Sequence, residues 1–136
     1  MLEISDAARV TAGIVMLTVV GIESGGAFLL AVVTGRERAT DFQKSFYRAG
    51  HAHAGVLVTL GLVCLLLAET TPLTGVWRWV AGTGVLWAAV LLPAGFFFSA
   101  MGSGRTSPNR WAVLFAVGAL VLATGVVTLA VGLLRA

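Results

Sequence analysis

Two histidines, His51 and His53, lie close together in the stretch FQKSFYRAGHAHAG, and the chain contains no others. Imidazole titrates near neutral pH, so such a pair is suited to handling protons, and it is also a ligand for haem or a transition metal. Positions two apart on a helix point about 200° apart, which makes HxH a weaker metal signal than an i, i+4 pair. The alternative is interfacial: one ring meets lipid headgroups and the other caps a neighbouring helix.

Glu23 is the third residue with potential chemistry. It lies in the apolar run Val10–Thr34, roughly 18 Å of helical rise from the loop that follows. An ionised carboxylate in hydrocarbon is costly, so Glu23 is expected to be protonated, paired or in contact with water, and such residues are functional candidates by default. The alternative is structural, with a neutral Glu23 that hydrogen-bonds a neighbouring helix.

Two further residues are expected at a similar depth. Pro93 removes a backbone donor from its helix and should kink it, which frees a carbonyl near Ala89. Thr59 and Pro93 each fall roughly 13 Å from the inner end of their spans on ideal helices. Glu23, Thr59 and Pro93 are therefore expected to form a polar layer at mid-membrane. A direct contact between Glu23 and His53 is not expected.

The amino-acid composition indicates that these residues lie in a lipid bilayer and not in water. Of 136 residues, 58% are hydrophobic and 11% are charged, and the mean hydropathy is +0.96, outside the range of water-soluble domains. A bilayer core needs about 20 apolar residues as helix. The stretches that reach this length are Val10–Thr34, Gly50–Ala68, Val76–Met101 and Trp111–Leu134. The sequence predicts one all-α domain over residues 1–136, an up-down bundle of four transmembrane helices.

The first loop has a pattern of its own. Phe42 and Phe46 are spaced i, i+4 with Tyr47 beside them, while Lys44 and Arg48 occupy other faces. This arrangement is typical of an amphipathic helix in the headgroup region. We therefore expect a short interfacial helix before the second span.

Basic residues orient the spans. Six lie in the first and third loops and three elsewhere, namely Arg36, Arg38, Lys44, Arg48, Arg105 and Arg110 against Arg9, Arg78 and Arg135. The positive-inside rule then places these two loops in the cytoplasm and both termini outside. Acidic residues precede the first span instead of a basic cluster, so it is interpreted as a span and not as a signal peptide. The expected location is the bacterial inner membrane.

Small side chains recur every seven residues in each span. The series are Thr11, Thr18, Gly25; Ala54, Gly61, Ala68; Ala81, Ala88, Gly95, Gly102; and Gly118, Gly125, Gly132. Such stripes favour close, left-handed packing and leave no room for an aqueous pore. Glu23 lies about 140° from Thr18 on the first helix, on a face with Gly26 and Ala27. This face, which also includes Ala12, is expected either to form the true interior of the bundle or to meet another protein chain, in a homo-oligomer or a larger membrane complex.

Three classes of function remain open. The first is proton- or ion-coupled transport or permeation in a homo-oligomer that uses Glu23. The second is haem or metal binding through His51 and His53, and the third is a non-catalytic accessory subunit of a larger membrane complex. Soluble-type enzyme chemistry is not expected, because six acidic residues, of which one lies deep, cannot supply the usual catalytic sets. The basic residues at helix ends serve membrane topology, and nucleic-acid binding is not expected.

The segments GIESGG, FYRAGHAHAG, PAGFFFSAMG and PNR, in this order, resemble an uncharacterised family of small bacterial four-span integral membrane proteins. This resemblance covers nearly the whole chain, and it implies the architecture without an activity. The position of Glu23 is also similar to that of the proton-coupling carboxylate in small multidrug resistance transporters, although the histidine loop and PAGFFF do not match that family. The HAH motif is similar to haem-binding histidines of haem-copper oxidases, without their other ligands.

Overall fold

The computed structural model describes residues 4–136, and their secondary structure is helical. The long helices are α1 (Asp6–Val33), α2 (Asp41–Ala68), α3 (Gly75–Ala100) and α4 (Val113–Leu134), and a short 3-10 helix (Arg110–Ala112) leads into α4. Each of these four is long and apolar enough to cross a membrane. The prediction of an all-α bundle of four transmembrane helices is confirmed.

Side-chain caps mark the starts of α1 and α2. The Ser5 hydroxyl accepts the Ala8 N–H at 3.2 Å at the start of α1. At the start of α2, the Thr40 hydroxyl accepts the Gln43 N–H, and the Gln43 side chain accepts the Thr40 N–H in return. This reciprocal capping box satisfies two backbone donors that a helix start otherwise leaves free.

The first loop differs from its prediction, because residues 41–49 do not form a separate interfacial helix. They are the first turns of α2, which continues without interruption to Ala68. The capping box at Thr40 starts the helix, and both Gln43 and Gly50 are buried in it. The amphipathic pattern therefore belongs to the start of the long helix α2, which begins nine residues before the predicted boundary at Gly50.

Helix α3 is central in the bundle. It packs closely against α2 and α4, whereas the backbone of α1 approaches that of α2 alone within residues 4–136. A groove separates α1 from α3, with Thr11 and Val15 on one side and Trp79 and Leu86 on the other. None of the residues in the most apolar part of α1 is buried. Helix α1 is thus the least covered element of the fold.

Glycines admit the close contacts of α3 with its neighbours. Gly84 and Gly125 mark the nearest approach of α3 to α4: a Cβ built on Gly84 would lie 2.7 Å from the Gly125 Cα. Gly61 accommodates the Leu86 side chain, and Gly118 accommodates that of Leu92. The interior between α2, α3 and α4 is therefore filled by side chains packed against bare backbone.

Candidate functional site

Gln43 ties the loop ends of the helices together. Its side chain is 5% exposed, and its amide donates to the carbonyls of Ala100 at 2.9 Å and Gly102 at 2.7 Å. The Thr40 hydroxyl donates to the Arg105 carbonyl. Both the amide oxygen and the amide nitrogen of Gln43 are therefore hydrogen-bonded, as expected for a buried polar group. These bonds hold the first and third loops together at one end of the bundle. These contacts between the loops were not predicted from the sequence. The T-x-x-Q pattern of Thr40 and Gln43 was a signal for the helix cap but not for the bonds to the third loop.

Two sets of aromatic rings lie directly beneath this end. Phe28, Tyr47 and Phe97 link α1, α2 and α3. Phe46, Phe96 and Phe115 link α2, α3 and α4. The Tyr47 and Phe97 rings are stacked with centroids 5.6 Å apart, and those of Phe96 and Phe115 meet edge to face at 4.7 Å. Gly50 makes the stack possible, because a Cβ there would lie 2.9 Å from the Phe97 ring.

His51 points toward α1. A Cβ built on Gly25 would lie 3.4 Å from His51 Nδ1, and one on Gly26 would lie 3.5 Å from Nε2. The imidazole thus rests against the bare backbone of the paired glycines and is half-buried there. Of the face that was expected to be interior or to meet another chain, Gly26 contacts α2 within the bundle.

His53 points to a different side of α2. Its ring centroid lies 4.9 Å from that of Phe96, and its Nδ1 lies 2.7 Å from the Ala49 carbonyl oxygen. Because a carbonyl only accepts, Nδ1 is the donor in this hydrogen bond. The two imidazoles therefore face different helices, as their spacing indicated. The residues that the structure describes include no group of three or more His, Cys, Asp or Glu placed to hold a metal ion.

Glu23 lies on the exposed face of α1. Within residues 4–136 its carboxylate forms neither a hydrogen bond nor an ion pair, and this includes any contact with His53. The contact of His51 with Gly25 and Gly26 places Glu23 about 4 Å further along the bundle than His51, or about 8 Å beyond the level of Arg48. The last turns of α1 lie beside the amphipathic start of α2.

Thr59 and Pro93 occupy other parts of the bundle. The Thr59 hydroxyl is exposed and donates to the Gly55 carbonyl of its own helix at 3.0 Å. Pro93 is buried in α3, which remains helical through it. In the part of the chain described, no hydrogen bond or ion pair links either residue to Glu23, and α1 makes no close backbone contact with α3.

Glu69 joins α1 to α2 at the opposite end of the molecule. Its Oε2 accepts the Ser5 N–H at 2.8 Å. This hydrogen bond, helped by the nearby Arg78, holds the pKa of Glu69 below its ordinary value against a smaller opposing effect of burial. Because the pKa is lower in the folded state, ionised Glu69 stabilises the fold above the ordinary carboxyl pKa, and this contribution is lost as the pH falls through the folded-state value.

Replacing Glu69 with glutamine is therefore expected to lower thermal stability in detergent at neutral pH. The effect should be about 1 kcal/mol or less, because the group is largely solvated. The difference from wild type should shrink as the pH falls below about 4.5. A Glu69→Gln difference that is constant with pH would contradict this assignment.

Comparisons with protein-family models, curated proteins and solved structures find no match for this chain. The features of this chain that bear on its function are the geometry of Glu23, the two histidines and the exposed surface of α1.

Proposed function

We propose that this integral membrane protein acts in proton- or ion-coupled transport or permeation as a homo-oligomer, with Glu23 as the titrating group. The observation that carries the proposal is the position of Glu23 on the exposed surface of α1, without a partner in residues 4–136. In a bilayer a single copy would present this carboxyl group to lipid. Such exposure is costly, and residues that bear the cost are commonly functional.

A second copy packed on α1 would provide two things that a single copy lacks. It would cover the apolar surface that the rest of the chain leaves open, and it would offer Glu23 a polar or aqueous environment. Ala27 lies four residues from Glu23 on the same side of the helix and is exposed. Small side chains of this kind permit close approach of transmembrane helices.

In this proposal, the route for protons or ions runs between the copies of the homo-oligomer and not through the interior of one copy. Leucine side chains occupy the spaces over Gly61, Gly118 and Gly132, so the bundle interior is filled. His51 lies less than one helical turn from the level of Glu23, in the seam between α1 and α2, where its imidazole would relay protons toward the loop end. With the first and third loops in the cytoplasm, Glu23 belongs to the cytoplasmic half of the membrane.

Oligomer formation through this face is tested with Ala27→Leu. The larger side chain is expected to weaken self-association about tenfold, since overpacking a helix contact costs about 1–3 kcal/mol. Native mass spectrometry and crosslinking in liposomes would report the change. Gly21→Leu is the matched control, because Gly21 is also exposed, has no neighbour within 4 Å and lies about 160° from Glu23.

The oligomer proposal fails if wild type and Ala27→Leu are both monomeric in detergent and in lipid. Stoichiometric co-purification of a different protein, lost in Ala27→Leu alone, would instead assign the chain as an accessory subunit of a larger membrane complex.

A second candidate, haem or metal binding, is favoured by the hydrogen bond of His53. Ligating histidines usually donate their second ring nitrogen to a carbonyl or carboxylate, as His53 Nδ1 does to Ala49. The residues fit one axial ligand per chain, so a haem would need a further ligand from a second copy, and it would supply electron-transfer chemistry. The absorption spectrum and metal content of the purified protein decide this candidate.

A further inference from the structure

A cleft of about 680 Å³ opens at the loop end of the molecule, and its lining includes neither Glu23 nor the histidines. It lies between the first loop, the segment after α3 and the last turns of α1. The residues that form its walls are Phe28, Val32, Glu37, Arg38, Tyr47 and Ser103, with Thr40, Gln43 and neighbouring backbone. The tie made by Gln43 holds both loops in place around it.

Glu37 and Arg38 are the charged groups of this cleft. Both are exposed, and within residues 4–136 neither side chain forms a hydrogen bond or an ion pair. By contrast, the polar groups of Thr40 and Gln43 are occupied by the contacts that join the loops. One carboxylate and one guanidinium are thus available to a ligand from outside the chain.

The chemistry of the cleft changes with depth. Tyr47 lies seven residues, about 10 Å, along α2 from Thr40, and the Phe28 ring meets it edge to face at 5.4 Å. The charged pair belongs to the loop between α1 and α2, whereas the aromatic pair belongs to the helices themselves, near the level of Arg48. This sequence of charged and then apolar groups matches the order of headgroup and acyl chain in a phospholipid.

We propose that this cleft binds a phosphate ester that carries a primary ammonium group, the headgroup chemistry of phosphatidylethanolamine. The Arg38 guanidinium suits the phosphate, because its donors match two phosphate oxygens at once. The Glu37 carboxylate accepts hydrogen bonds from the ammonium group. A choline headgroup lacks those N–H donors, and a glycerol headgroup lacks the positive charge. The apolar side of the cleft favours a lipid as the source of this headgroup over a soluble ester.

Native mass spectrometry of the purified full-length protein tests the proposal with phosphatidylethanolamine, phosphatidylcholine and phosphatidylglycerol. We expect about tenfold stronger retention of phosphatidylethanolamine than of phosphatidylcholine, as a charge-assisted hydrogen bond provides. Glu37→Gln should remove this preference. Arg38→Gln should weaken retention of all three lipids about tenfold. Arg36→Gln is the matched control: Arg36 is exposed in the same loop but does not line the cleft.

Soluble glycerophosphoethanolamine distinguishes the two sources of the headgroup. If it displaces the lipid at comparable concentration, the recognition chemistry is supported with a soluble ester as ligand; if it does not, the lipid is the ligand. Equal retention of the three lipids would overturn the proposal. Equal losses of lipid retention in Arg36→Gln and Arg38→Gln would also overturn the proposal, because they would indicate a general electrostatic attraction of lipid phosphates to the basic loop. Melting curves that match wild type show that each variant is folded.

Discussion

Replacing Gly125 with leucine is expected to separate α3 from α4 and to leave little monodisperse protein after extraction in detergent. A Cβ at this position would lie 2.9 Å from the Gly84 Cα, 3.1 Å from its carbonyl carbon and 3.2 Å from the Val85 nitrogen. All three atoms are backbone, so no rotamer change relieves the overlap, and the helices must move apart. Overpacking costs about 1–3 kcal/mol where side chains can adjust, and the cost here should reach or exceed the upper value.

Gly13→Leu is the matched control for this prediction. Gly13 is also a helical glycine in an apolar span, but a Cβ there would have nothing within 4 Å. Its replacement should leave yield and melting temperature close to those of wild type. Gly125→Ala should already destabilise the protein, since the Cβ itself makes the overlap. Similar losses of yield and melting temperature in Gly13→Leu and Gly125→Leu would contradict the prediction. They would show that added side-chain volume in any span destabilises the protein, whether or not it lies at the contact of α3 with α4.

The seven-residue series of small side chains predicted most of this packing. In α2, α3 and α4 the members that contact neighbouring helices are buried, among them Gly61, Ala88, Gly95 and Gly125. In α1 the corresponding Thr18 is exposed. A periodic stripe shows where close approach is sterically allowed, but it does not show whether a neighbouring helix is present. Gly84, the partner of Gly125, lies outside the series and was therefore missed.

The start of α2 could not be predicted for a similar reason. An amphipathic helix in the headgroup region and a span that extends beyond the hydrocarbon have the same pattern of Phe42, Phe46 and basic residues. A tertiary contact distinguishes the two arrangements. The Gln43 amide can donate to the Ala100 carbonyl at the end of α3 only if the helix that carries Gln43 runs alongside α3. Local sequence does not encode the position of that carbonyl.

The candidate site was predicted in part. The spacing of His51 and His53 indicated that their rings diverge, and the structure places one against α1 and the other against Phe96. The depth of Glu23 depended on where the membrane surface crosses α1, which counting from the loop does not establish. The cleft at Glu37 and Arg38 arises from two loops that are distant in sequence, so composition gave no signal for it.

Glu23→Gln is expected to abolish proton-linked flux in reconstituted vesicles while the protein remains folded. Glutamine matches the protonated acid in size and hydrogen-bonding groups but cannot release a proton, so packing against a second copy should survive. Flux would be measured with a pH-sensitive dye inside the vesicles after an external acid pulse. Glu69→Gln serves as the control, because it removes a carboxylate at the opposite end of the molecule and should retain flux.

The structural alternative for Glu23 predicts the opposite pattern of results. If the side chain only joins helices, Glu23→Gln should be nearly silent in every assay, and Glu23→Ala should lower the melting temperature by leaving a partner unpaired, at a cost of about 1–3 kcal/mol. Because Glu23 has no partner within residues 4–136, that loss should appear only under conditions where the protein is oligomeric. Proton flux retained in a folded Glu23→Gln variant would remove Glu23 from the coupling role and leave it as an interface residue.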